Sequence, residues 1–235
     1  MVNKVISMFF PKTCPLCEKI IYDKMYICGN CLEKLYVIEE PKCYKCGKPL
    51  NSDEKIICSD CTKTAHCFDK GIAVFEYKEQ IRESLYRFKY QNQRVYSEFY
   101  AKMAIQLYES TLNEWKVDKI IPVPMYCKKK IRRGYNQAEE FADELSKYTG
   151  IPRDNKCLVR IKNTSPQKGM NSEQRRMNME SAFAVNVSRL KMCTNVLLVD
   201  DIYTTGSTID GCAKLLRAAG VQRIYFLCVA IGKDK

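Results

Sequence analysis

Two patterns in this chain could do chemistry. The first is VLLVDDIYTTGSTI, Val196 to Ile209, where four apolar residues run into two adjacent carboxylates and then into hydroxyls around a glycine. The second is a set of eight cysteines arranged as four Cys-x-x-Cys pairs, all before residue 62.

In the first pattern, NVLLVD (195–200) reads as a buried strand and STIDGCAKLLRAAG (207–220) as a helix stopped by glycine. Thr204, Thr205, Gly206, Ser207 and Thr208 then form a loop that enters a helix N-terminus. Successive backbone N–H groups there make a phosphate cradle, because glycine permits close approach and the positive helix end lies behind. The hydroxyls of Thr205, Ser207 and Thr208 can add donors. Asp200 and Asp201, one step upstream, would face a sugar attached to that phosphate and accept hydrogen bonds from its vicinal hydroxyls. A plain helix cap preceded by a salt-bridged acid is the alternative, and the weight rests on V-D-D-x-x-T-T-G-x-T as a whole. The chain has no Walker A sequence and no GxGxxG, so triphosphate and dinucleotide cradles are not indicated.

The cysteine pairs are Cys14 and Cys17, Cys28 and Cys31, Cys43 and Cys46, and Cys58 and Cys61, with connectors of 10, 11 and 11 residues. A two-residue gap lets both thiolates of a pair reach one ion, and two pairs complete the tetrahedral shell of a structural zinc. Eight ligands imply two zinc ions. Sequential pairing is favoured, since each set then closes one short hairpin; interleaved pairing stays open. A disulfide framework belongs to secreted chains, and a redox Cys-x-x-Cys normally occurs once beside a βαβ pattern. The segment is poor in apolar residues, so metal would supply its folding free energy. His66 and Cys67 follow closely, but both shells are already full. Cys157, Cys193, Cys212 and Cys228 lie in or beside apolar segments and read as buried thiols.

The elements that position these groups follow from the pattern along 235 residues, enough for an α/β domain plus a small module. Residues 1–67 are read as an N-terminal amphipathic helix, with Val2, Val5, Ile6 and Phe9 on one face, followed by the zinc module. Residues 68–235 alternate strands and helices: strand 71–77, helices 81–90 and 96–110, strand 119–124, a basic loop, helix 136–148, strand 157–161, helix 172–181, strand 195–200, helix 207–220 and strand 223–231. Such alternation predicts a parallel sheet with helices on both faces and ligands at the carboxyl ends of the strands.

The formal net charge is +12, and ten of those charges fall in residues 68–235. Zinc held by four thiolates carries two net negative charges, so the metallated module would be mildly acidic and suited to structure or protein docking. The excess in the second domain favours polyanions. Lys119 to Arg133 holds six basic residues and no acid, with Tyr126 inside it and Tyr135 just after; Lys89, Tyr90, Arg94 and Tyr96 form a second basic and aromatic cluster. Cations that track a backbone, with aromatic platforms, suit single-stranded nucleic acid; a plain solvated basic loop competes equally for KKKIRR. No apolar run reaches the ~20 residues of a membrane span, and the start lacks a secretory cleavage pattern, so a cytoplasmic location is expected.

VLLVDDIYTTGST resembles the phosphoribosyl pyrophosphate signature of type I phosphoribosyltransferases. With IPVPMYCKKKIRRGYNQAEEFA, TSPQKGMNSEQRRMNMESAF and the paired Cys-x-x-Cys module, nearly the whole chain resembles the ComF family, linked to natural competence. The resemblance implies a type I phosphoribosyltransferase-like sheet preceded by a double zinc ribbon. It implies that Asp200 and Asp201 hold the ribose hydroxyls with Mg2+ nearby, and that Thr204 to Thr208 take the 5′-phosphate. Val123, Pro124, Met125 and Lys128 match the pyrophosphate loop, with Arg132 and Arg133 adding charge. Gln167, Arg175, Arg176 and Asn178, within 163–180, would form a mobile cover. Candidate DNA contacts are Lys89, Arg94, Lys128, Lys129, Lys130 and Arg132. A protein partner such as a DNA-uptake helicase would dock at the zinc module. Purine-salvage members carry a carboxylate where Thr204 stands, so that general base is absent here. The expected role is phosphoribosyl pyrophosphate and single-stranded DNA binding in DNA uptake, the alternative being transfer to an unidentified acceptor in nucleotide metabolism.

Overall fold

The computed structural model describes residues 11–22, 25–163 and 181–233. Its strands are β1 (Lys70–Glu76), β2 (Lys119–Pro122), β3 (Leu158–Arg160), β4 (Phe183–Val185), β5 (Asn195–Tyr203) and β6 (Arg223–Ile231). Its helices are α1 (Gly29–Glu33), α2 (Ser59–Lys63), α3 (Glu79–Tyr90), α4 (Tyr96–Glu114), α5 (Cys127–Arg133), α6 (Gln137–Thr149) and α7 (Ser207–Ala218). The expected N-terminal helix and the expected helix over 172–181 lie outside the described residues, apart from Ser181.

The central sheet has the order β1–β6–β5–β2, with every pairing parallel. Its strands are apolar on both faces, as burial on both sides requires. Ile72, Val74, Ile120, Leu197, Val199, Leu227 and Val229 pack into one cluster with α3, α4 and α6. Their neighbours Ala73, Ile121, Val196, Leu198, Phe226 and Cys228 pack into another with α7. The period of two thus divides each strand between two cores. The cysteine module is divided as well. Cys14 and Cys31 join the α3–α4 core, whereas Cys43, Cys46 and Cys58 join the α7 core.

That division creates the site. Of the two helices that follow β2 in the chain, the longer, α6, lies on one face of the sheet and the helix after β5, α7, on the other, so the loops leaving these adjacent strands diverge. A crevice opens where they part, as expected at a topological switch point.

Three elements differ from expectation. The acids sit inside β5, not at its end, because β6 continues to Ile231 and keeps pairing, Asp200 with Cys228 and Tyr203 with Ile231. On the other side β2 stops at Pro122 opposite Val199, which exposes that edge of Asp200 and Asp201. The basic loop is a helix, α5, ended by Gly134. The 157–161 strand is β3, which pairs antiparallel with β4 outside the parallel sheet.

Candidate functional site

The cysteines form two groups, Cys14, Cys17, Cys28 and Cys31, and Cys43, Cys46, Cys58 and Cys61, with all sulfurs of a group within 4.8 Å of one another. Four thiolates at ~2.3 Å from a central zinc stand about 3.8 Å apart, so both sets fit the ion. The pairing is sequential. In each group the third cysteine caps a short helix, Cys28 before α1 and Cys58 before α2. The Cys58 N–H also donates to Cys43 Sγ at 3.3 Å, the kind of bond that steadies a bound thiolate. These are two zinc-ribbon sites of four cysteines each. Neither His66 nor Cys67 belongs to them.

The crevice between the β2 and β5 loops is a cleft of about 410 Å³. One wall is β5 and the loop after it, with Asp200, Asp201, Thr204 and Thr208; the other holds Val123, Pro124 and Met125 with Lys129, Arg133, Asn136 and Arg160. The Val123 N–H donates to Val199 O, and buried Asn136 donates to Val123 O while accepting from the Ala138 N–H at the start of α6. The asparagine therefore ties the β2 loop to its helix.

Burial, and then the Asp201 carboxylate, push Asp200 up to about 8; the bond it accepts from the Asp201 N–H, then Lys89 and Arg160, oppose that rise. Lys89 Nζ lies 3.0 Å from Asp201 Oδ2. On the facing wall, burial and then Arg160, Arg133 and Arg132 hold Lys129 below the usual lysine range, and burial does the same for Arg160. Cations brought this close to one another are a ready binding face for an anion.

The loop after β5 turns on Gly206, whose φ of +80° suits glycine. A Cβ there would stand 2.5 Å from Tyr203 Oη and 3.1 Å from His66 Cε1. Gly206 also precedes α7 without a side-chain cap, leaving first-turn N–H groups facing the loop, and Thr205 and Ser207 hydroxyls lie 3.1 Å apart.

Helical spacing sorts the basic run. Lys129 and Arg133, four apart on α5, line the cleft, whereas Lys128 and Arg132 are exposed outside its lining. Lys130 turns back to Glu139 at 2.5 Å, and Arg94 donates to Gly134 O at 2.9 Å with its guanidinium over the Tyr135 ring. Tyr96 and Tyr135 are buried, so of the aromatics singled out, Tyr90 stays exposed and half-buried Tyr126 is partly accessible. Gln167, Arg175, Arg176 and Asn178 lie outside the described residues. Sequence reasoning missed Arg160, for which a lone arginine in a short strand leaves no signal, and Asn136, whose helix-start position was the available clue.

Among the described residues no helix is long and apolar enough to cross a membrane. Two family models match the chain, Double zinc ribbon domain over residues 5–62 and Phosphoribosyl transferase domain over residues 95–235. Competence protein F of Haemophilus influenzae is 34% identical, covering 92% of this chain and 95% of that one. Competence protein ComFC of Bacillus subtilis is 26% identical (83% and 79%), and DNA utilization protein YhgH of Salmonella typhimurium is 24% identical (80% and 82%). With two four-cysteine sites before a parallel sheet whose open crevice carries the paired acids and the glycine loop, this chain belongs to the ComF family, a double zinc ribbon joined to a phosphoribosyltransferase domain.

Proposed function

We propose that the cleft binds phosphoribosyl pyrophosphate with Mg2+, in a cytoplasmic protein that handles single-stranded DNA during uptake in natural competence. One observation carries this reading: Asp200 and Asp201, with Thr204 and Thr208 on either side of the uncapped Gly206, line a single cleft together with Lys129, Arg133 and Arg160. Ribose hydroxyls would donate to the acids, and the loop from Thr204 to Thr208 would cradle the 5′-phosphate. Mg2+ takes one or two carboxylates plus substrate phosphate oxygens, which suits an acid pair beside an anion-binding wall. The pyrophosphate would lie along Val123, Pro124 and Met125 under Lys129 and Arg133. Gln167, Arg175, Arg176 and Asn178 would cover it.

The DNA part rests on relatives named for competence and DNA utilization, and on cations that do not serve the cleft. Lys128 and Arg132 point outward from α5, and Tyr86 and Tyr90 are exposed on α3. The division is taken at residue 67, with the zinc module available to a protein partner such as a DNA-uptake helicase.

Phosphoribosyl pyrophosphate with Mg2+ should raise the melting temperature, and Asp200→Asn with Asp201→Asn should abolish the rise. A rise that survives in the double variant removes the assignment.

A second reading, transfer to an acceptor, is favoured by a groove of about 450 Å³ that shares Tyr77 and Lys89 with the cleft. Bound cations would neutralise the departing pyrophosphate. Thr204 supplies no base, so the acceptor would have to be nucleophilic by itself. Pyrophosphate release screened across acceptors, with and without single-stranded DNA, separates the two readings.

A further inference from the structure

Beneath the phosphate loop lies a contact made by no zinc ligand and no cleft-lining residue. His66, the chain's single histidine, has a side chain only 1% exposed. Its Nδ1 lies 2.6 Å from Oδ2 of Asp210 in the first turn of α7, and Asp210 Oδ1 accepts the Cys67 N–H at 3.0 Å. The Asp210 N–H in turn donates to Gly206 O at 2.8 Å. The turn that presents the loop is thus held from below by residues 66 and 67.

Those residues directly follow the second zinc ribbon in the chain. Cys58 and Cys61 flank and enter α2, and His66 follows a few residues after that helix ends at Lys63. The ribbon itself rests on the same support. Cys43, Cys46 and Cys58 share one core with Phe68, Tyr203 and Ile209. Gly47, at φ +74°, presses so closely on β1 that a Cβ would meet Gly71 O at 2.8 Å. The His66 ring stacks on Phe68, which meets Tyr203 edge-on, and Tyr203 sits directly under Gly206. Among the described residues the first ribbon packs instead on the opposite face of the sheet, where Arg87 of α3 donates to Pro15 O and Leu16 O, and it makes no contact with the turn beneath the loop. Two polar atoms at this junction, His66 Nε2 and Tyr203 Oη, are buried without a hydrogen-bond partner among the described residues. Such atoms are held there by their surroundings, since each forgoes solvation that an exposed group would keep.

We infer that His66 is a positioning residue for the sugar-phosphate loop and that, through it, the second zinc site and the cleft are thermodynamically coupled. The inference rests on the reading that the loop takes a sugar phosphate. Coupling is reciprocal: whatever zinc in the second ribbon contributes to ligand affinity, the ligand returns to zinc retention.

The test uses full-length, zinc-loaded protein challenged with a zinc-selective chelator and an isotope-coded alkylating agent, with labelled cysteines resolved by mass spectrometry. Calorimetry measures phosphoribosyl pyrophosphate binding with Mg2+ in parallel. Saturating ligand is expected to slow labelling of Cys43, Cys46, Cys58 and Cys61 by about tenfold, within the usual range of coupling, while Cys14, Cys17, Cys28 and Cys31 label as before. His66→Ala is expected to lose that protection and weaken ligand binding. His66→Asn, whose amide can still donate to Asp210, is expected to keep both. Ligand that binds by calorimetry but protects neither set, or both equally, overturns the coupling, as does wild-type protection in His66→Ala. Absence of binding to the wild type overturns the reading of the cleft, and this inference with it.

Discussion

Lys89 Nζ lies 3.0 Å from Asp201 Oδ2, and both side chains are largely withdrawn from water. A lysine from α3 thereby balances one of two adjacent carboxylates on β5. Removing one partner of a partly buried pair leaves the other charge uncompensated, and here that charge adjoins Asp200. Lys89→Met should therefore destabilise the fold by about 1–3 kcal/mol above about pH 8, where Asp200 is ionised. The loss should shrink at lower pH, where Asp200 is neutral. Urea unfolding at two pH values measures it, and equal losses at both would contradict the arrangement.

Asp200 gives the free protein a distinctive pH dependence. Its carboxyl rises from 3.8 to about 8 on folding, so the folded state holds a proton that the unfolded chain has released across that interval. Stability from this group is present at acid pH and is lost as pH rises through about 8. Asp200→Asn stays neutral throughout, so it should be more stable than wild type at alkaline pH, by about 2 kcal/mol or more, and similar at acid pH. Binding of Mg2+ and phosphoribosyl pyrophosphate to the wild type should tighten with pH up to about 8 and level off above it. Affinity that falls over that range would remove the carboxylate from the contact.

Why these features differ in legibility is a matter of range. The cysteine pairs and the Asp200 to Thr208 stretch are contiguous, so spacing alone places them, and the apolar runs of β5 and β6 announce buried strands. Lys89 belongs beside Asp201 only because α3 packs over the sheet; read locally it is one more surface cation. Lys129 and Arg133 separate from Lys128 and Arg132 only once KKKIRR is known to be helical. His66 and Asp210 are 144 residues apart, and neither has a neighbour in sequence that hints at the other. Strand length failed for a related reason, since β5 extends as far as its partner β6 does.

Gly206 should tolerate nothing larger. Its φ of +80° and the 2.5 Å approach of Tyr203 Oη act together against a methyl group. Gly206→Ala should cost at least about 1 kcal/mol and displace the loop, lowering sugar-phosphate affinity. Because Tyr203 Oη is buried without a partner among the described residues, Tyr203→Phe alone should be neutral or stabilising. The double variant should recover part of the stability lost by Gly206→Ala in thermal unfolding. No recovery would show that backbone strain, and not the tyrosine, excludes the side chain.

Zinc loss should not be equivalent at the two ribbons. Each of Cys17→Ser and Cys46→Ser should lower the metal content from two ions to one by elemental analysis, as eight ligands in two groups require. Cys46 is fully buried in the core shared with α7, whereas Cys17 is partly exposed. Cys46→Ser should therefore lower the melting temperature further and loosen the phosphoribosyltransferase domain. Loss of both ions from either variant would mean that the ribbons fold as one unit.

The two faces of α5 allow the proposed ligands to be separated. Lys129 and Arg133 face the cleft, so replacing both with alanine should weaken phosphoribosyl pyrophosphate by about 10–100-fold, the cost of losing charge-assisted contacts. Lys128 and Arg132 are exposed outside the cleft lining, so replacing both should leave that affinity unchanged. The outer pair should instead affect single-stranded DNA. Each backbone phosphate contact adds about 0.7 to the slope of log affinity against log salt, so losing two should flatten it by about 1.4. Fluorescence anisotropy across a salt series reads the slope, and calorimetry reads the sugar phosphate. If the outer variant leaves the slope intact, DNA does not run along α5, and the exposed tyrosines of α3 become the surface to substitute next.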